Sequence, residues 1–165
     1  MAVIGIDPGT ALTGYGIIEE SKDGGLSVLD FGVIETTSKE KDAQRLSKIY
    51  SKLQNILSLY TIESGGVERL FFQKNVKTAI SVGQARGVIL LTLAQASIEI
   101  SEYNPVEIKQ AVTGYGQASK KQMQEMVRVL LGLEHLPKPD DAADALAVAI
   151  CHIHSRKLTR LADEF

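Results

Sequence analysis

The chain begins with a short apolar run at residues 2–7, AVIGID, that ends in an acid. Continuous rather than alternating hydrophobicity over so few residues predicts a strand buried on both faces, near the centre of a sheet. Residues 14–20 and 26–36 read as two further strands, joined through Lys22-Asp23-Gly24-Gly25, a link with strong turn chemistry. Successive strands with short connections predict an antiparallel meander. The period then changes. Leu46, Ile49, Tyr50, Leu53, Ile56, Leu57 and Tyr60 recur at spacings of three and four, which predicts a helix over 41–60 with one apolar stripe. Gly65-Gly66 then opens a strand at 67–72, a second helix spans 76–96, and residues 98–103 form another strand. From there the pattern is helical. Asn104-Pro105 offers an N-cap and a first-turn proline, Ser119 caps another helix, and Pro137-Lys138-Pro139-Asp140 leads into a last helix over 141–154.

The order is βββαβαβ followed by helices. The β-α-β stretches require parallel crossovers, so the pattern predicts an α/β protein with a five-stranded mixed sheet flanked by helices. That is the plan of the ribonuclease H-like fold. No repeat, low-complexity segment or linker divides the 165 residues, so one domain over 1–158 with a tail at 159–165 is expected. A single cysteine, Cys151, leaves no intramolecular disulfide to form. The N-terminus has no basic region followed by a long apolar stretch, so a cytoplasmic, membrane-free protein is the expectation.

A net charge of −2 argues at first against nucleic acid, because phosphate contacts need Lys and Arg. The average hides an asymmetry. Between Arg69 and Arg128 eight Lys/Arg, Lys74 among them, face four Glu, whereas the remainder holds ten basic and sixteen acidic residues. A basic centre with acids elsewhere fits a polyanion-binding face around a carboxylate metal site. It equally fits a solvated surface with no partner.

Four acids stand out by position. Asp7 ends the first strand before Pro8-Gly9-Thr10, where burial is costly unless compensated, although an Asp-Pro-Gly turn is the plain alternative. Glu68 sits among apolar neighbours in the fourth strand, on a face that could also be wet. Asp141 and Asp144 open the last helix, and spacing of three puts both carboxylates on one face. The helix dipole accounts for Asp141, with Asp140 as the alternative N-cap. It accounts less well for Asp144, one turn in between Ala143, Ala145 and Leu146. Converging at one sheet edge, the four could hold two Mg²⁺ or Mn²⁺ ions for phosphodiester hydrolysis. The histidines make no zinc spacing with Cys151, and Asp30-Phe31-Gly32 lies in a strand run without a preceding Gly-rich loop.

Four segments carry a resemblance: IGIDPGTALTGYG at 4–16, FFQKNVKTAISVGQARG at 71–87, EIKQAVTGYGQASKKQMQEMVR at 107–128 and DDAADALAVAICH at 140–152. In this order they resemble the RuvC family of Holliday junction resolvases over essentially the whole chain. The resemblance implies a homodimeric, Mg²⁺-dependent nuclease of the ribonuclease H-like fold that nicks opposing strands of a four-way DNA junction symmetrically. It also implies cooperation with the RuvA–RuvB branch-migration motor. It puts the family's acidic tetrad on Asp7, Glu68, Asp141 and Asp144, its junction-centre aromatic on Phe71 and its DNA-facing lysines on Lys109 and Lys120. Lys74 and Lys121 complete the candidate DNA contacts, and Arg69 is an unusual neighbour for the strand-four acid.

The residues themselves support two parts of this. Val112 to Ser119, followed by Lys120-Lys121, joins flexible glycines to a capped helix start that can present amides and ammonium groups to phosphates, although a plain turn has the same composition. Gly83 and Gly87 each cost about 1 kcal/mol inside a helix, which points to close approach of another backbone, within the monomer or from a second copy. The rivals are a ribonuclease H-like nuclease acting on RNA–DNA hybrid, an actin-like or sugar-kinase phosphate loop, and a non-catalytic DNA-binding module. The second needs two lobes, and the third leaves the acids unexplained.

Overall fold

The structure, a computed structural model, describes residues 1–70 and 76–163. Its elements are β1 (Ala2–Asp7), β2 (Leu12–Glu20), β3 (Leu26–Glu35), α1 (Asp42–Ser58), β4 (Ser64–Glu68), α2 (Val76–Gln95), β5 (Glu99–Tyr103), α3 (Pro105–Thr113), α4 (Lys120–Leu130) and α5 (Asp140–Asp163). The strands lie in the order β3-β2-β1-β4-β5. β1, β2 and β3 pair antiparallel, whereas β1–β4 and β4–β5 are parallel. The mixed five-stranded sheet of the ribonuclease H-like fold is therefore present, with β1 central as its apolar run implied.

Alternation along β1 sorts the core into two layers. Val3 faces a cluster with α3, α4 and α5 that includes Ile108, Val127, Leu146 and Ile150. Ile4 and Ile6 face the opposite cluster with α1 and α2, among Ile49, Leu53, Ile89 and Leu93. Gly5 and Asp7 share the parity of Val3 and hence look toward α5. The capping signals hold: Asn104 Oδ1 accepts from Glu107 N at 2.9 Å, and Ser119 Oγ accepts from Gln122 N at 3.2 Å.

Two elements differ most from the sequence reading. The fourth strand occupies Ser64–Glu68 rather than 67–72, so Gly65 and Gly66 lie inside it and Glu68 ends it. Small residues are required there: a Cβ on Gly66 would come within 3.1 Å of His152, Tyr103 and Val148. The last helix starts at Asp140 and continues past His154 to Asp163, since no Gly or Pro stops it. Phe71, Phe72 and Lys74 lie outside the described residues.

α2 is long and apolar enough to cross a membrane by length and composition alone. Ala85, Ile89 and Leu93 join the core, while Val76, Ile80 and Leu91 are exposed at 74%, 59% and 54%. Among the described residues nothing lies within 4 Å of a Cβ built on Gly83 or Gly87, so no described packing contact accounts for them.

One buried polar network ties α5 to β4 and β5. His152 Nδ1 meets Tyr103 Oη at 2.9 Å and His152 Nε2 meets Ser64 Oγ at 2.8 Å, with Arg156 donating to the same Ser64 oxygen. Burial first, and then the Arg156 charge, push the His152 pKa down to about 4. The folded state thus favours neutral imidazole, and that contribution is present above pH 6.5 and is lost as pH falls from 6.5 to about 4. Calorimetric stability should fall in that window by up to about 3 kcal/mol. His152→Gln, which keeps a hydrogen-bonding group without titrating, should flatten the profile; an unchanged slope would remove His152 as its source.

Candidate metal centre

Register alone brings the first two acids together. β1 and β4 pair in parallel as far as Ile6 opposite Val67, so Asp7 and Glu68 come one step further along the same end of the sheet. Asp7 also pairs with Gly14 across the antiparallel β1–β2 ladder. α5 then crosses this face at unusually short range. A Cβ on Gly14 would lie 2.0 Å from the Asp141 carbonyl oxygen, and one on Gly5 would lie 2.2 Å from that of Ala145. Bare backbone under the helix is what lets its first turns descend onto the strand ends, carrying Asp141 and Asp144.

The charges report the crowding. Burial, then the Glu68 charge and a hydrogen bond with it, push Asp7 up to about 9, and Asp144 and Asp141 add to the effect. Glu68 is also raised, first by burial, and so is Asp144, against the pull of Lys120. A hydrogen bond between two carboxyl groups requires one of them to be protonated, so Asp7 and Glu68 together hold a proton at neutral pH. No three described His, Cys, Asp or Glu side chains stand close enough to grip one ion as they lie. The donor set nevertheless fits a hard divalent cation: every group is a carboxylate oxygen. Displacing the shared proton by a cation would satisfy both members of the Asp7–Glu68 pair.

Lys120 already sets a cation beside the acids. Its Nζ lies 3.1 Å from Asp140 Oδ2 and 3.7 Å from Asp144 Oδ2, and Gln124 Nε2 donates to Asp140 Oδ1 at 3.0 Å. Asp140, expected as a mere cap, is thus the residue that joins α4 to the start of α5. Glu68, Lys109, Lys120 and Asp144 share a cleft of about 210 Å³. Lys121 is not brought there; it lines a separate groove with Tyr115 and Val129. Arg69, on the strand exit, lies 3.5 Å from Glu102, which also pairs with Arg86. The Arg86 Nε has no partner among the described residues. Nothing in sequence spacing signalled the pairings of Lys120 with Asp140 or of Arg86 with Glu102, because each joins residues from separate elements.

A mixed sheet with acids at the ends of adjacent central strands, capped by an acid pair on a helix, defines a ribonuclease H-like carboxylate nuclease. Comparison with known proteins narrows the class. Residues 3–152 match the family model for crossover junction endodeoxyribonuclease RuvC. A RuvC from Caldicellulosiruptor saccharolyticus is 56% identical over 155 residues, covering 94% of this chain and 93% of the relative. One from a Roseiflexus species is 53% identical over 161 residues, covering 98% and 95%. A solved Thermus thermophilus RuvC in complex with Holliday junction substrate superposes with a TM-score of 0.88 at 30% identity, covering 96% of each chain. The chain belongs to the RuvC family of crossover junction endodeoxyribonucleases.

The crowded acids carry a prediction. At pH 8 the unfolded Asp7 is ionised, whereas the folded pair retains a proton, so folding opposes that ionisation. Asp7→Asn should stabilise the metal-free protein at pH 8 by roughly 1–2 kcal/mol while abolishing cleavage. A variant that melts lower than the parent would contradict the cluster's electrostatics.

Proposed function

We propose that this protein resolves four-way DNA junctions by metal-dependent hydrolysis of phosphodiester bonds, acting as a homodimer. The observation that carries the reading is the meeting of Asp7, Glu68 and Asp144 across one sheet end, each held up in pKa by burial and by its neighbours. With Asp141, these are the residues that would hold the metal, two Mg²⁺ per site with Mn²⁺ as a substitute. Bound there, the metal supplies an activated water and stabilises charge on the leaving oxygen. The chain's own groups do the remaining work. Asp7 and Glu68 give up their shared proton on loading, and the buried strand ends keep their oxygens from turning to solvent. Lys109 and Lys120 line the same cleft as Glu68 and Asp144 and would neutralise the backbone phosphate lying there. Phe71 and Lys74 are proposed as further DNA contacts, and Lys121 as a contact outside the cleft.

Symmetric cutting of two strands needs two sites related by a two-fold axis. The outward face of α2 supports such pairing, since Ile80, Leu91 and the open flanks of Gly83 and Gly87 lie on it. RuvA–RuvB remains the partner that family membership suggests, in the cytoplasm. Action on RNA–DNA hybrid would use the same acids, so substrate preference decides between the readings.

Three expected outcomes test this. On a synthetic four-way junction in Mg²⁺, paired nicks should appear, with duplex and RNA–DNA hybrid left intact. Asp141→Asn should bind the junction but not cut it, and cutting at the parent rate would remove Asp141 from the site. Gly87→Leu should shift sedimentation toward monomer; a parent protein that sediments as a monomer at micromolar concentration would contradict the dimer.

A further inference from the structure

The acids stand between two cavities that share no lining residue. Glu68 and Asp144 line the cleft with Lys109 and Lys120, whereas Asp141 lines a second cavity of about 510 Å³. This second cavity lies between the loop after β1, the helix α1 and the start of α2, and Gly9, Thr10, Arg45, Lys77 and Ser81 contribute to it. Asp141 is its one acidic lining residue among those described.

Its walls are fixed by hydrogen bonds. Thr10 Oγ1 and Ser81 Oγ meet at 2.8 Å, which holds the loop after β1 to α2. Thr36 donates its hydroxyl to the Thr10 carbonyl oxygen at 2.6 Å, and Arg45 Nε donates to that same Thr36 hydroxyl at 2.9 Å. Arg45 is therefore anchored at Nε. Its terminal nitrogens, and the ammonium of Lys77, have no hydrogen-bond or ion-pair partner among the described residues. Lys77 and Ser81 are four apart and share a helical face, which is distinct from the Ile80–Gly87–Leu91 face assigned to the dimer.

We propose that this cavity receives the cut strand on the side of the scissile phosphate opposite the Lys109–Lys120 cleft, with Arg45 and Lys77 each contacting a backbone phosphate. A strand crossing the acids has to leave as well as enter, and the two cavities flank the acids. Cations oriented into an otherwise neutral cavity beside a carboxylate suit a polyanion whose reacting group lies over the metal. Arg45 lies outside the basic stretch at 69–128 and carries no sequence signal of this role. The inference rests on the assignment of the four carboxylates as the cutting site.

The test scans neutral methylphosphonate linkages along the cut strand of a synthetic junction and measures binding without divalent metal. In the parent protein, a neutral linkage at one or two phosphates on one side of the cut should weaken binding several-fold. Arg45→Ala and Lys77→Ala should each weaken binding to the native junction, lower its salt slope by about one unit, and lose sensitivity to those linkages. Lys77→Arg should restore it. Should Arg45→Ala melt lower through loss of its Thr36 bond, exposed Lys77 carries the comparison alone. A full linkage penalty in the Lys77→Ala protein, or an unchanged salt slope, overturns the proposal. Asp141→Asn cutting at the parent rate would instead overturn the site assignment beneath it.

Discussion

Everything in this molecule that bears on chemistry depends on α5 resting directly on bare backbone. Gly5 on β1 and Gly14 on β2 lie where a methyl group would collide with the helix main chain, at 2.2 Å and 2.0 Å from carbonyl oxygens. Close packing makes such a contact unforgiving, because backbone cannot swing aside as a flexible side chain can. The seat fixes both the height and the register of α5. Its first two turns bring Asp141 and Asp144 to the end of the sheet where β1 and β4 deliver Asp7 and Glu68. At its other end the His152 network with Tyr103 and Ser64 fixes the same helix to β4 and β5.

The seat creates an electrostatic burden. Burial first, and then the neighbouring charges, raise the proton affinity of Asp7, Glu68 and Asp144, and the fold answers with one proton on the Asp7–Glu68 pair and with Lys120 against Asp140 and Asp144. Such an arrangement does little for stability and suits a divalent cation, which would replace the proton and compete with the ammonium. The surrounding cations divide by task. Lys120 is tied to α5 through Asp140. Arg69 and Arg86 share Glu102, and Arg45 stands anchored in the cavity that Asp141 also lines.

Much of the fold was legible because its signals are local. The apolar run of β1, the turn chemistry before β3, the three-four spacing of α1 and the caps at Asn104 and Ser119 each act within a few residues. The fourth strand was misplaced for the same reason. Gly65-Gly66 looks locally like a turn, whereas their smallness answers a demand from Ile4, His152 and Val148 on other elements. The four acids were found because each is out of place locally: at a strand end, among apolar neighbours, or one turn into a helix. Asp140 reads only as a cap because it suits a helix start, and its partners Lys120 and Gln124 lie on α4. Arg45 escaped notice because a lone arginine on an amphipathic helix is ordinary until the cavity is seen.

The central claim is that the glycine seat under α5 holds the acids in reach of one another. The most direct measurement is the cleavage rate of a Gly14→Ala protein on a four-way junction in Mg²⁺, with junction affinity and far-ultraviolet dichroism taken alongside. Gly14 lies opposite Asp7 and sits beneath Asp141. Gly14→Ala should give a folded protein that binds the junction and has lost cutting by at least two orders of magnitude, on the order of 3 kcal/mol in the barrier. A folded Gly14→Ala protein that cuts at the parent rate would contradict it.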